Sequence, residues 1–136
     1  MKSVVVVLRL DPSETHRFCE AVRLCSGLAA GGLEVAALFE SQAVRALDEC
    51  ARVDQERAPV AEALGLLSQV GLRLKYDADA ARACGVRVER SLAADALTAS
   101  RMREIFAQAQ GRIVFDPRDE AEPAAPAGVI GTKAGS

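Results

Sequence analysis

Ser3-Val-Val-Val-Val-Leu-Arg-Leu10 places a run of aliphatic residues near the start of the chain. From Val4 to Leu8 no position is polar. A strand with one wet face alternates apolar and polar side chains, so an unbroken β-branched run implies a strand covered on both faces. Such strands belong to parallel sheets flanked by helices, and this one is predicted to be central. Arg9 ends the run, and Asp11-Pro12-Ser13 breaks the strand. A helix is then predicted from about Glu14 to Ala30, with Phe18, Val22, Cys25 and Ala29 on its apolar face at steps of three and four. Gly31-Gly32 supplies the residue type a helix C-terminus needs.

The alternation continues outward. Leu33 to Phe39 reads as a second strand. Ser41 is placed to cap a short helix bearing Val44, Leu47 and Ala51. After a polar bridge, Arg52 to Arg57, Pro59 sits near the first turn of another helix. Its apolar face is Val60, Ala63, Leu64, Leu67 and Val70, and Gly71 closes it. Leu72 to Tyr76 alternates and reads as a third strand; Asp77 starts a short Ala-rich helix that ends at Cys84-Gly85. Val86 to Val88 is a candidate short fourth strand. Met102, Ile105, Phe106 and Ala109 mark the last helix, and Arg112 to Phe115 the last strand. Strand and helix in turn, with short loops, imply right-handed crossovers. The expected fold is therefore α/β in three layers, with about five mostly parallel strands and helices on both faces. Residues 1–115 would form this domain. Residues 116–136, rich in Pro, Ala and Gly, would form a tail outside the core.

Bulk composition narrows the function classes. The chain has 136 residues, half of them apolar, with no Trp, one Tyr and four Phe, so it can bury a core that is mostly aliphatic. Net charge is −2 and the two signs are interleaved, without the basic block that a phosphate backbone would require; no nucleic-acid partner is expected. Val4 to Leu8 is too short for a secretory h-region or a membrane span, so no membrane partner and a cytoplasmic location are expected. Cys19, Cys25, Cys50 and Cys84 form no C-x-x-C pair, and His16 is the one histidine. Neither disulfides nor a zinc site is expected from such spacing, and no cofactor is implied.

Several side chains could carry chemistry. Ligands of open α/β sheets bind outside the carboxyl ends of the strands. Asp11, Glu40, Tyr76, Asp77 and Asp116 fall at such ends, and Asp11, Glu40, Tyr76 and Asp77 are the candidate binding residues. A rim of carboxylates can hold a divalent cation, but capping alone explains Asp77 at a helix start. A phosphoacceptor pocket would want paired acids after the first strand and a lysine after the last; Asp11-Pro12 and Phe115-Asp116 offer neither. His16 and Cys19, at i, i+3 spacing, could pair on one helix, though nothing marks an acid to orient the imidazole.

The opening strand, the Leu28-Ala-Ala-Gly-Gly32 helix end, the Leu33 to Glu40 strand, Val70-Gly71 and Ala83-Cys84-Gly85-Val86 together resemble the DsrE/DsrF-like (TusD-like) sulfur-relay family, over roughly residues 2 to 115. The resemblance implies a five-stranded parallel sheet of flavodoxin-like appearance and a homo-oligomer or assembly with a related family chain. In active members it also implies a persulfide-carrying cysteine just after the third strand. A helix N-terminus there stabilises a thiolate. This sequence has Tyr76-Asp77 at that place, and no cysteine between Cys50 and Cys84. The expectation is a non-catalytic subunit or small binding module linked to sulfur handling. The alternative is a sulfurtransferase using a displaced thiol, Cys84 or Cys19.

Overall fold

The Val4 to Leu8 run lies in strand β1 (Ser3–Leu8), which pairs in parallel with β2 (Glu34–Phe39) on one side and with β5 (Gly111–Phe115) on the other. β3 (Arg73–Asp77) adds to β2, and β4 (Asp95–Leu97) to β3, again in parallel, giving the order β4-β3-β2-β1-β5. The computed structural model describes residues 2–55, 57–69 and 72–117. The expected tail therefore lies, beyond Pro117, outside the described residues, as do Val70 and Gly71. β1 is an interior strand as its composition requires, but the middle of the sheet is β2.

Helices α1 (Thr15–Ala30) and α2 (Ala58–Gln69) cover one face, and α4 (Ala99–Gln108) the other; α3 (Ala78–Ala83) is a single short piece after β3. The two layers are unequal. On the larger side Val6, Leu8, Phe18, Phe39, Leu47, Leu64 and Leu74 form one cluster, with the Phe18 and Phe39 rings stacked at 6.1 Å between centroids. On the other side Val5, Val7, Leu38 and Leu97 meet Met102, Ile105 and Phe106 of α4, and α4 itself has no fully buried residue. Its apolar stripe is narrow, so it covers β1 and its neighbours but leaves β3 open. The sequence of β3 fits this arrangement. Leu74 points into the larger core, while Arg73 and Lys75 alternate to the thinly covered side, where Lys75 reaches Asp95 of β4 at 3.4 Å.

Two expectations are corrected. Ser41 does not cap an α-helix. It begins a 3₁₀ turn, Ser41–Leu47, with its own φ at 52°, and Glu40 before it makes no side-chain cap. Ala43, Val44, Ala46 and Leu47 are all buried. Three residues per turn stack Ala43 over Ala46 and Val44 over Leu47, and this burial selects the tighter helix. A second 3₁₀ turn, Ala51–Val53, follows. The fourth strand is Asp95–Leu97 rather than Val86 to Val88. Val88 instead makes an isolated antiparallel bridge to Asp48, and backbone bonds Glu49 N–Arg87 O and Glu89 N–Leu47 O, both 2.8 Å, tie that loop to the 3₁₀ segment. At the end of α1, Gly32 takes φ 93°, a conformation that costs glycine little, while the Leu33 N–H donates back to the Leu28 carbonyl at 3.2 Å.

Unequal layers give unequal costs of truncation. Phe18→Ala, from a fully buried ring, should lower unfolding free energy by about 3–5 kcal/mol. Phe106→Ala on α4 should cost less than half as much, because its ring is only half buried. Urea unfolding of the two variants checks this; equal losses would show that α4 packs as tightly as α1. Val6→Asp, which places an unpaired charge at a fully buried position, should leave no soluble folded protein.

Candidate functional site

Because all five strands run the same way, their carboxyl ends meet on one rim. Arg9 and Asp11 follow β1, Glu40 follows β2, Tyr76 and Asp77 end β3, and Asp116 follows β5. The expected acids are thus at the expected end of the sheet. Glu40 and Asp116 are drawn together by Arg9, whose Nε donates to Glu40 Oε1 at 2.8 Å and whose Nη1 donates to Asp116 Oδ1 at 3.2 Å. The bond to Glu40 holds the Arg9 guanidinium in its charged form against the opposing effect of burial, raising its pKa further, and Asp116 adds to this. Asp11 is bonded by Arg45 from the 3₁₀ turn and accepts the Ser13 N–H at 2.8 Å. Arg57 Nη1 in turn donates to the Arg45 carbonyl at 3.1 Å while its Nε holds Asp54 at 3.0 Å, which fixes the segment that carries Arg45.

Asp77 stands apart from this network. Its Oδ1 accepts the backbone N–H groups of Asp79 at 3.0 Å and Ala80 at 3.4 Å, the capping role its position suggests. Tyr76 is half buried and packs against the larger core. Each of the four carboxylates on the rim is therefore already satisfied, by a guanidinium or by backbone N–H groups. Among the described residues no three His, Cys, Asp or Glu side chains come together in a way that could hold a metal ion. The arginines that organise the rim were not singled out by sequence reasoning. Only their place after strand ends and in the 3₁₀ turn marks them.

The thiols are scattered. Cys25 is buried in the larger core, and burial pushes its pKa up to about 12. Cys84 lies just past the carboxyl end of α3, its N–H bonded to the Ala80 carbonyl, and packs partly against the same core, as Cys19 of α1 does. Cys50 is exposed. His16 is 87% exposed and faces Glu20 at 3.6 Å, so the i, i+3 pair with Cys19 does not assemble.

A shallow cleft of about 160 Å³ opens at the opposite, amino end of the strands, between α4 and the uncovered part of the sheet. Ala36, Arg73, Lys75, Ile105 and Gln108 are among the residues that line it. It is smaller than the roughly 300–1,000 Å³ of ordinary ligand pockets. Small Ala36 leaves the room, and the aliphatic stems of two long cations border it.

No family model matches the chain, and no curated protein matches it in sequence. Among solved structures it is similar to the ychN protein from E. coli, at 17% identity and a TM-score of 0.72, over 85% of this chain and 100% of that one. It is also similar to BT1422 from Bacteroides thetaiotaomicron, a conserved protein of unknown function, at 13% identity and a TM-score of 0.63, over 84% of this chain and 95% of that one. Likeness at such identities establishes the five-stranded parallel α/β fold. No described helix is long and apolar enough to cross a membrane.

Asp11 gives the rim a pH signature. Burial alone would raise its pKa, but the Ser13 hydrogen bonds and Arg45 outweigh burial and hold it below its usual 3.8. A carboxyl with a depressed folded pKa stabilises the fold above its unfolded pKa, and loses that contribution as pH falls through the folded value. Asp11→Asn should therefore be about 1 kcal/mol less stable than the unaltered chain at pH 7. The gap should close as pH falls below about 4. Melting curves from pH 2 to 7 test this; a gap that does not narrow at all below pH 4 would mean that Asp11 acts by packing rather than charge.

Proposed function

We propose that this chain is a non-catalytic subunit or small binding module of the DsrE-like kind, linked to sulfur handling. One observation carries the reading: the start of α3, where a relay protein of this kind would hold its reactive thiol, is capped by the Asp77 carboxylate. Sulfur relay needs a thiol that is both ionised and reachable. Asp77 already supplies the negative charge that this helix end favours, and it occupies the two N–H groups that would otherwise stabilise a thiolate.

The remaining thiols do not replace it. Cys25 is inaccessible and hard to ionise. Cys84 sits at the helix end whose dipole opposes a thiolate. Cys19 is packed partly against the core in mid-helix. The partner of such a module would be another copy or a related family chain in the cytoplasm. The rim of Asp11, Glu40, Tyr76 and Asp77, with Arg9 between the acids, would be the surface offered to a ligand.

Incubation with a cysteine desulfurase and cysteine, followed by intact-mass and peptide mass spectrometry, is the test. The expected result is no stable persulfide on any cysteine. Stoichiometric sulfur addition at any one cysteine, lost on its replacement by Ser, would overturn the reading in favour of a sulfurtransferase with a displaced thiol.

A further inference from the structure

The two edges of the sheet are protected very differently. β4 is three residues long and carries Asp95, and a short charged edge offers little to a pairing strand. β5 is five residues, Gly-Arg-Ile-Val-Phe, with no internal proline or lysine and no bulge in its register with β1. Ile113, Val114 and Phe115 are only half buried there.

The ladder fixes which β5 groups are free. The Arg9 N–H donates to the Phe115 carbonyl at 2.9 Å, while the carbonyl of Leu8, one residue earlier, accepts from Glu40 on the β2 side. Successive residues of a strand direct their backbone groups to opposite sides, so Gly111, Ile113 and Phe115 face β1. Arg112 and Val114 then turn their N–H and C=O groups to the open edge. No other described strand pairs with that edge.

We propose that the open edge of β5 pairs antiparallel with β5 of a second copy of this chain, about a two-fold axis at Val114, joining two five-stranded sheets into one. Side chains on the strand select this register. With Val114 opposite Val114, Arg112 of each copy stands directly across from Asp116 of the other, and Ile113 across from Phe115. Opposite charges and aromatic–β-branched pairs are both favourable cross-strand neighbours. Arg112 and Asp116 lie on the α4 side, where the Arg112 guanidinium rests 4.9 Å from the Phe106 ring centre. The Asp116 side chain is 59% exposed and has a second oxygen free of the Arg9 bond described above. An axis at Ile113 would set Arg112 across from Val114 and lose the charge pairs, and an axis at Arg112 would set Arg112 against Arg112, where like charges directly opposite are destabilising. In this register the edge N–H and C=O groups of Val114 meet those of Val114, and the edge groups of Arg112 meet those of Asp116, as an antiparallel ladder requires. The inference stands on this edge geometry and holds whether or not any thiol carries sulfur.

Charge exchange tests it. In sedimentation equilibrium the unaltered chain should show twice the monomer mass at high concentration. Arg112→Glu alone sets Glu against Asp116 twice, and Asp116→Arg alone sets Arg against Arg112 twice, so each should sediment as a folded monomer. An equimolar mixture of the two variants restores opposite charges at both contacts and should recover the dimer. A monomeric parent chain, variants that remain dimeric, or a mixture that stays monomeric would each overturn the proposal. Amide exchange on the unaltered chain provides a check that needs no variant. The N–H groups of Arg112 and Val114 should gain protection as protein concentration rises. Protection independent of concentration would mean that the chain's own residues 118–136 cover the edge, and that no second copy does.

Discussion

Val5 and Val7 point to one side of the sheet and Val6 and Leu8 to the other, and all four are at most 1% exposed. Each such side chain contributes on the order of 1.5–3 kcal/mol when taken out of water. The contribution is lost if either face of β1 is left wet, so both faces need a helical layer. The crossover through α1 and α2 supplies the first, and the return through α4 supplies the second. The path of the chain also follows. β1 through β4 are laid down in one direction, and the chain must then cross back over the sheet for β5 to occupy the other side of β1. That return crossing is α4, and it covers the Val5 and Val7 side.

Much of this was legible from periodicity, and the failures share a cause. β1, β2, β3 and β5, and helices α1 and α2, each carry a strong apolar period and lie within a residue or two of their expected bounds, and α4 contains Met102, Ile105 and Phe106, which marked it. β4 has no such signal. Asp95-Ala-Leu97 is a strand because β3 offers it a ladder and Lys75 offers Asp95 a charge, both tertiary facts invisible in three residues. Val86 to Val88 has the composition of a strand, but its backbone is taken up by Leu47, Asp48 and Glu49. The Ser41–Leu47 segment fails for a related reason. Its residues suit an α-helix, and the choice of a 3₁₀ turn follows from burial of four side chains at a spacing of three.

The candidate site was legible in position and not in state. Parallel strands place Asp11, Glu40, Asp77 and Asp116 on one rim, and strand ends alone locate them. Whether a carboxylate is available depends on what reaches it from elsewhere. Arg45 arrives from a segment whose conformation periodicity misjudged, and Arg57 from the loop before α2. Arg9 is visible in the sequence only as the residue that stops an apolar run. Its guanidinium spans Glu40 and Asp116 because it follows β1, the strand that lies between theirs.

That arrangement bears on what the rim can bind. A small anion approaching Arg9 must displace Glu40 or Asp116, exchanging one carboxylate for another with little net gain, and the displaced acid would then be left without its partner. A cation approaching Asp11 must likewise compete with Arg45. The Arg9–Glu40 pair, with Glu40 only 14% exposed, is the costlier of these to open, because its charges are the more withdrawn from water. Affinity at this end of the sheet would therefore have to come from contacts that leave the ion pairs in place: backbone groups, the half-buried Tyr76 ring, and the outer edges of the guanidinium groups. A second polypeptide can supply these over a broad area. A small charged ligand covers too little of the rim to do so.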